Sequence, residues 1–157
     1  MMNDRLATVQ RIVAEAGIDS TARELPDSTH SAAQAAAALG TEPGAIASSL
    51  LFLADGEPLL AMTSGRHRVD TDLLAGQLGV TELTMATAKQ VREVTGQPIG
   101  GVSPVGHPAP IRTVVDEALR EYDVVWSAAG TANSVLPLTF DQLLTLTNGT
   151  VVRVNEH

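Results

Sequence analysis

The sequence predicts an α+β fold, a mixed sheet with helices packed on it. Apolar runs at helical spacing and apolar runs of strand length are interspersed along the chain. Two strand pairs are hairpin-linked, which argues against a purely parallel sheet. A chain of 157 residues, 44% hydrophobic and 18% charged, fits one compact domain with a real core.

The elements follow in order. Leu6, Val9, Ile12, Val13 and Ala16 recur at helical spacing, and Gly17 closes the run. Ser31 and Gln34 have capping-box spacing ahead of an alanine run that Gly40 stops. IASSLLFLA (46–54) and PLLAMTS (58–64), joined by Asp55-Gly56-Glu57, form a hairpin. Ser64-Gly65-Arg66 is a turn, residues 69–79 are a helix, and residues 82–86 are extended. Thr87 and Gln90 cap the next helix, VREVTG, and residues 98–102 read as a strand. Strand-like runs at 111–115 and 124–128 flank a short helix, EALREY, and 135–138 is another strand. Thr139 and Gln142 cap FDQLLTL, and Asn148-Gly149 turns into a last strand, VVRV.

Aromatic residues are only 3%, so Ala, Leu and Val must fill the core. The absence of cysteine excludes a disulfide scaffold and a thiolate nucleophile and fits a reducing cytoplasm. The opening MMNDRLATVQ carries no signal-peptide core, and no apolar run approaches the ~18 residues of a membrane span. A net charge of −8 argues against tight non-specific nucleic-acid binding but leaves room for a local basic patch. Lys89 is the only lysine.

No metal is expected: His30, His67, His107 and His157 lack ligand spacing. A GxSxG elbow, a P-loop and a dinucleotide fingerprint are all missing, so no nucleotide cofactor is expected either. The unusual stretch is GGVSPVGHPAP (100–110), with three glycines, three prolines and a histidine in eleven residues. It is either a plain connection or a loop whose glycines let a ligand approach bare backbone while Pro104 stiffens its edge. A second bare loop, Ala128-Ala129-Gly130-Thr131, follows a strand, as does Asp116, which sits where a helix N-cap would be. Two glycine loops and an acid at strand ends suggest one pocket.

The ordered series SLLFLADGEPLLAMTSG, RVDTDLLAGQLG, TGQPIGGVSPVGHP, TVVDEAL and VWSAAGT…VLPLT resembles the YbaK type, the prolyl-tRNA synthetase-associated domain family of aminoacyl-tRNA deacylases. The resemblance covers roughly residues 29–154. It implies a compact α+β fold with a curved mixed sheet, and trans-editing: hydrolysis of the ester between a wrong amino acid and the 3′ end of a tRNA. A small amino acid on tRNA(Pro) is the implied substrate, and prolyl-tRNA synthetase a possible partner. By the same resemblance Gly101 contacts the carbonyl or oxyanion, and Ser103, Pro104 and Val105 line the amino-acid pocket. Asp116 holds the terminal adenosine or the amino group, and Gly130 completes the site. Such a second site answers the limited discrimination, ~1–3 kcal/mol per methylene, of a synthetase pocket.

Two departures stand out. The family's run at the first long strand is I-V-K-S-L, with a lysine central to the site; here it is Ile46-Ala47-Ser48-Ser49-Leu50, so Ser48 replaces the cation. Val105 stands where a larger aromatic residue is usual, which widens the pocket. Three accounts remain open: a deacylase of altered mechanism in which Ser48 orients a water, a protein that binds aminoacyl-tRNA or an amino-acid ligand without hydrolysis, or an unrelated use of the scaffold. Arg66 and Arg68, flanking His67, form the one dense basic cluster, either a solvated turn, a grip on tRNA phosphates or a source of the charge that the missing lysine would supply.

Overall fold

A computed structural model of the chain describes residues 4–25 and 31–155. His30 and His157 lie outside the described residues. Five helices are described: α1 (Asp4–Glu15), α2 (Ala32–Leu39), α3 (Thr71–Leu78), α4 (Ala88–Thr95) and α5 (Phe140–Thr147). The strands are β1 (Arg23–Glu24), β2 (Ile46–Ala54), β3 (Glu57–Ser64), β4 (Leu83–Met85), β5 (Arg112–Asp116), β6 (Val125–Ala128), β7 (Ser134–Leu138) and β8 (Thr150–Val152). They form one mixed sheet in the order β1-β7-β6-β2-β3-β5-β8, with β4 also paired to β2. The α+β architecture is as the sequence predicts.

Local chemistry sets the boundaries. Thr87 with Gln90 and Thr139 with Gln142 close complete capping boxes on α4 and α5. The β2–β3 hairpin turns on Asp55 and Gly56 alone, at φ +49° and +86°, so Glu57 belongs to the strand. The Asp55 carboxylate also accepts the N–H groups of Thr81 and Glu82, which hold it below its ordinary pKa and tie β4 to the hairpin.

One face of the sheet is covered by α1, α4 and α5 through Leu6, Val9, Val13, Val91, Phe140 and Leu143. The other packs on α3 through Leu74 and Ala75, and on the alanine helix α2 around Ile46 and Trp126. Gly65 shows how closely the start of α2 packs against the turn after β3. A Cβ there would lie 2.5 Å from the Ala32 Cβ and 2.3 Å from the Pro43 carbonyl oxygen.

Three expectations change. Residues 98–102 form no strand, because the Gly101 N–H donates to the Pro98 carbonyl at 2.9 Å and the Ser103 N–H to the Gln97 side chain at 2.8 Å. The segment satisfies its donors locally instead of in a ladder. EALREY shortens to a 3₁₀ turn over Glu117–Glu121. β1 was not foreseen: it is two exposed polar residues held by main-chain pairing to Ser134 and Val135.

The feature that positions the site is a fork along β2. One edge of β2 pairs with β3 throughout. The other pairs with β6 only at Ile46 and Ala47, and with β4 only at Phe52–Ala54. Between those two partners, residues 48–51 face no strand.

Candidate active site

A cavity of about 270 Å³ opens at this fork. Its floor is residues 46–50 of β2, and its walls come from Ile99, Gly100 and Val102 of the Gly/Pro loop and from Trp126, Ala132 and Ser134 around the β6–β7 turn. None of the described residues that line it has a titratable side chain; their polar side-chain groups are the hydroxyls of Ser31, Ser48, Ser49 and Ser134 and the indole N–H of Trp126. Arg23 of β1 stacks its guanidinium 5.1 Å from the centroid of the Trp126 ring, a lining side chain.

Of the individual site residues the resemblance implies, Ser48 alone lines this cavity, and the two bare loops reach it through Gly100 and Ala128. Gly101 is buried behind it. A Cβ on Gly101 would meet the Thr131 carbonyl carbon at 2.6 Å, so glycine is needed for packing, and its N–H is already bonded to Pro98. Ser103, Pro104 and Val105 are buried, and their adjacent Val102 and Gly100 face the opening instead. Gly130, at φ +100°, packs on α1, where its carbonyl accepts the Arg5 Nε–H at 3.0 Å.

Stiffness in the loop comes from one buried carboxamide as well as from proline. Gln97, 2% exposed, accepts the Ser103 N–H and donates to the Val105 carbonyl at 3.2 Å, while the Ser103 hydroxyl also donates to that carbonyl. His107 braces the outer side, Nε2 lying 2.9 Å from the Ser103 carbonyl oxygen. Burial pushes the His107 imidazole below its ordinary pKa, with the Ser103 bond opposing the shift. The folded chain therefore binds fewer protons there than the unfolded chain. Stability from this group is present above the unfolded value of about 6.5 and is lost as pH falls through the folded one. Urea midpoints measured against pH should fall less steeply on the acid side for His107→Gln than for wild type.

Asp116 belongs to a different place. Its carboxylate accepts the N–H groups of Ser64 and Ala118, each at 3.0 Å, and faces His67 Nδ1 at 3.0 Å, with 1% exposure. It is the N-cap of the 3₁₀ turn and clasps β3 to β5. Ser48 pairs with Thr63, and Asp116 follows Val115, which pairs with Met62. Ser48 and Asp116 thus share a row of the sheet with Thr63 between them, two strand spacings or about 10 Å apart. Asp116 and Arg66 line a second cleft of about 320 Å³ that shares no residue with the first. Arg66 pairs there with Glu121, and Arg68 is exposed nearby, its carbonyl bonded to Asn155. The two bare loops expected to share a pocket do line one cavity, while the acid expected with them lies at the second cleft.

A larger cleft, about 740 Å³, lies at the hairpin end among residues 54–59 and 108–112. Asp55, Glu57 and Glu93 line it, a wall that repels a polyanion. Among the described residues no helix is long and apolar enough to cross a membrane, and no group of three His, Cys, Asp or Glu is placed to hold a metal ion.

Comparison with known proteins agrees with this architecture. Residues 26–146 match the aminoacyl-tRNA editing domain. Proline–tRNA ligase of Nitratidesulfovibrio vulgaris (strain DP4) is 36% identical over 97 residues, 62% of this chain and 17% of the ligase. That of Geobacter sp. (strain M21) is 38% identical over 85 residues, 54% of this chain and 15% of the ligase. The matches therefore span about one sixth of the length of these relatives. A crystal structure of a candidate trans-editing enzyme for prolyl tRNA synthetase superposes with a TM-score of 0.93 at 37% identity, over the full length of both chains. The hypothetical protein APE2540 superposes at 0.87 and 29% identity, over 95% of this chain and 99% of that one. The chain belongs to the aminoacyl-tRNA editing domain family.

Proposed function

We propose that the protein is an aminoacyl-tRNA deacylase acting in trans, hydrolysing the ester of a small amino acid mischarged on tRNA(Pro). The observation that carries this reading is the cavity at the β2 fork. At about 270 Å³ it is smaller than the ~300–1,000 Å³ sites that take drug-sized ligands, a size suited to an aminoacyl group with the nucleotide left outside. Its small walls, Ala32, Ala35, Ala47, Ala128 and Ala132, suit a short side chain.

Among the described residues that line it, the cavity has no general base, no nucleophile with a base beside it and no cation at position 48. What it offers is fixed geometry, main-chain dipoles and serine hydroxyls. The ester is already activated, so placing it against a water, with the vicinal 2′-OH of the terminal ribose assisting, is the remaining route to hydrolysis. Ser48 orients that water. Arg66 and Arg68 contact tRNA phosphates outside the cavity, so tRNA affinity falls steeply with salt.

The same lining favours a second reading, a protein that binds and shelters the ester without cleaving it. Ester half-lives of a panel of small amino acids on tRNA(Pro), with wild type and with Ser48→Lys, separate the two. Wild type shortening the half-life of one pair supports the deacylase and names its substrate. Shortening by Ser48→Lys alone, with wild type lengthening it, supports the binder.

A further inference from the structure

The cavity floor has a property that depends on register rather than on any side chain. Successive residues of a strand turn their main-chain groups to opposite edges. In β2 the even-numbered residues face β3: the Ile46 carbonyl accepts the Gly65 N–H at 2.9 Å. The odd-numbered residues face the other edge. Ala47 is laddered there with β6, Leu53 with β4, and the Leu51 carbonyl accepts the Ala86 N–H at 3.0 Å. Ser49 lies between, opposite no strand, and it lines the cavity. Its hydroxyl is turned onto the Met62 sulfur at 3.2 Å, so what Ser49 presents at the open edge is its main-chain N–H and C=O. Main-chain groups left without a strand partner at a partly exposed edge are free to meet water or a ligand.

We propose that Ser49 is the positioning residue of this site through its main chain: its C=O accepts from the substrate α-amine and its N–H donates to the substrate ester carbonyl. This rests on the cavity being the aminoacyl site. The amine and carbonyl of one amino acid have the spacing with which two opposed residues of an antiparallel pair exchange both hydrogen bonds. The aminoacyl group therefore docks as a one-residue strand filling the gap between β6 and β4. That arrangement polarises the carbonyl toward attack, a task the buried Gly101 N–H cannot perform while it serves Pro98. It also sends the substrate side chain to one face of the sheet, among the cavity's small walls.

The test uses the whole chain labelled with 15N, titrated with 3′-alanylamino-3′-deoxyadenosine, in which an amide replaces the scissile ester. Without ligand, the Ser49 amide proton should exchange with solvent faster than those of Ala47 and Leu53. With ligand it should shift downfield and become protected at least tenfold. In parallel, Ser49 is replaced by its α-hydroxy acid analogue, which removes the N–H and keeps the side chain; kcat/KM should fall about 100-fold, chiefly in kcat. Hydrolysis at the wild-type rate by that variant, with an unmoved Ser49 amide in the wild-type titration, overturns the proposal and leaves the deacylase intact. Protection of Ser49 with no ester cleaved upholds the proposal and sinks the deacylase reading. An analogue that binds nowhere near Ser49 at millimolar concentration overturns it even if the variant does not fold.

Discussion

Asp116→Ala should destabilise the protein on the order of 4 kcal/mol, read as a lower urea midpoint with unchanged slope. Removing the carboxylate leaves the buried N–H groups of Ser64 and Ala118 without their acceptor. Each such orphan costs about 1–3 kcal/mol, and the link to His67 is lost as well. Asp116→Asn, which keeps one acceptor oxygen, should lose about half as much. These values distinguish the two roles open to this residue. A carboxylate that holds substrate would, on removal, reduce turnover at wild-type stability. A carboxylate that clasps β3 to the 3₁₀ turn reduces stability first, and residual turnover follows the folded fraction.

Gly101→Ala should be the most damaging single methyl group in the loop. Its Cβ would lie 2.6 Å from the Thr131 carbonyl carbon and 2.9 Å from the Ala132 nitrogen, both main-chain atoms that cannot swing aside. Either the Gly/Pro loop or the β6–β7 turn must shift, and both wall the cavity. Overpacking of this kind costs about 1–3 kcal/mol, and a displaced wall should lower deacylation at least tenfold. Gly100→Ala provides the contrast. Its φ is +86°, but nothing lies within 4 Å of its Cβ, so the cost is about 1–2 kcal/mol of backbone strain with no steric push on the walls. Circular dichroism melts alongside single-turnover rates for the two variants separate wall displacement from strain.

How far the sequence could be read depended on whether local chemistry or distant pairing decided the outcome. The Thr87–Gln90 and Thr139–Gln142 caps and the hairpin turn at Asp55-Gly56 are short-range devices, and the structure has the caps where the sequence placed them and the turn one residue tighter. β1 carries no apolar alternation, so nothing local announces that Arg23 and Glu24 pair with β7. Residues 98–102 misled for the opposite reason. Ile99 and Val102 read as a strand, but Gln97, six residues before Ser103, captures the donor that a ladder would need. At the site, Ser48 was visible as a departure from a known run. That Asp116 stands across Thr63 from it, at a separate cleft, required the β2-β3-β5 order. The open edge at Ser49 is less legible still, because it arises where β6 stops and β4 has not begun.

If an aminoacyl ester is hydrolysed in the cavity at the β2 fork, plugging that cavity stops turnover, and Ala132→Phe supplies the plug. Ala132 is exposed at the cavity wall, so a phenyl ring there blocks the opening without entering the core. The measurement is the half-life of alanyl-tRNA(Pro) alone, with wild type and with Ala132→Phe. Wild type should shorten it at least tenfold, and the variant, equally stable to urea, should leave it at the spontaneous value. A variant as active as wild type would place the chemistry elsewhere on the molecule.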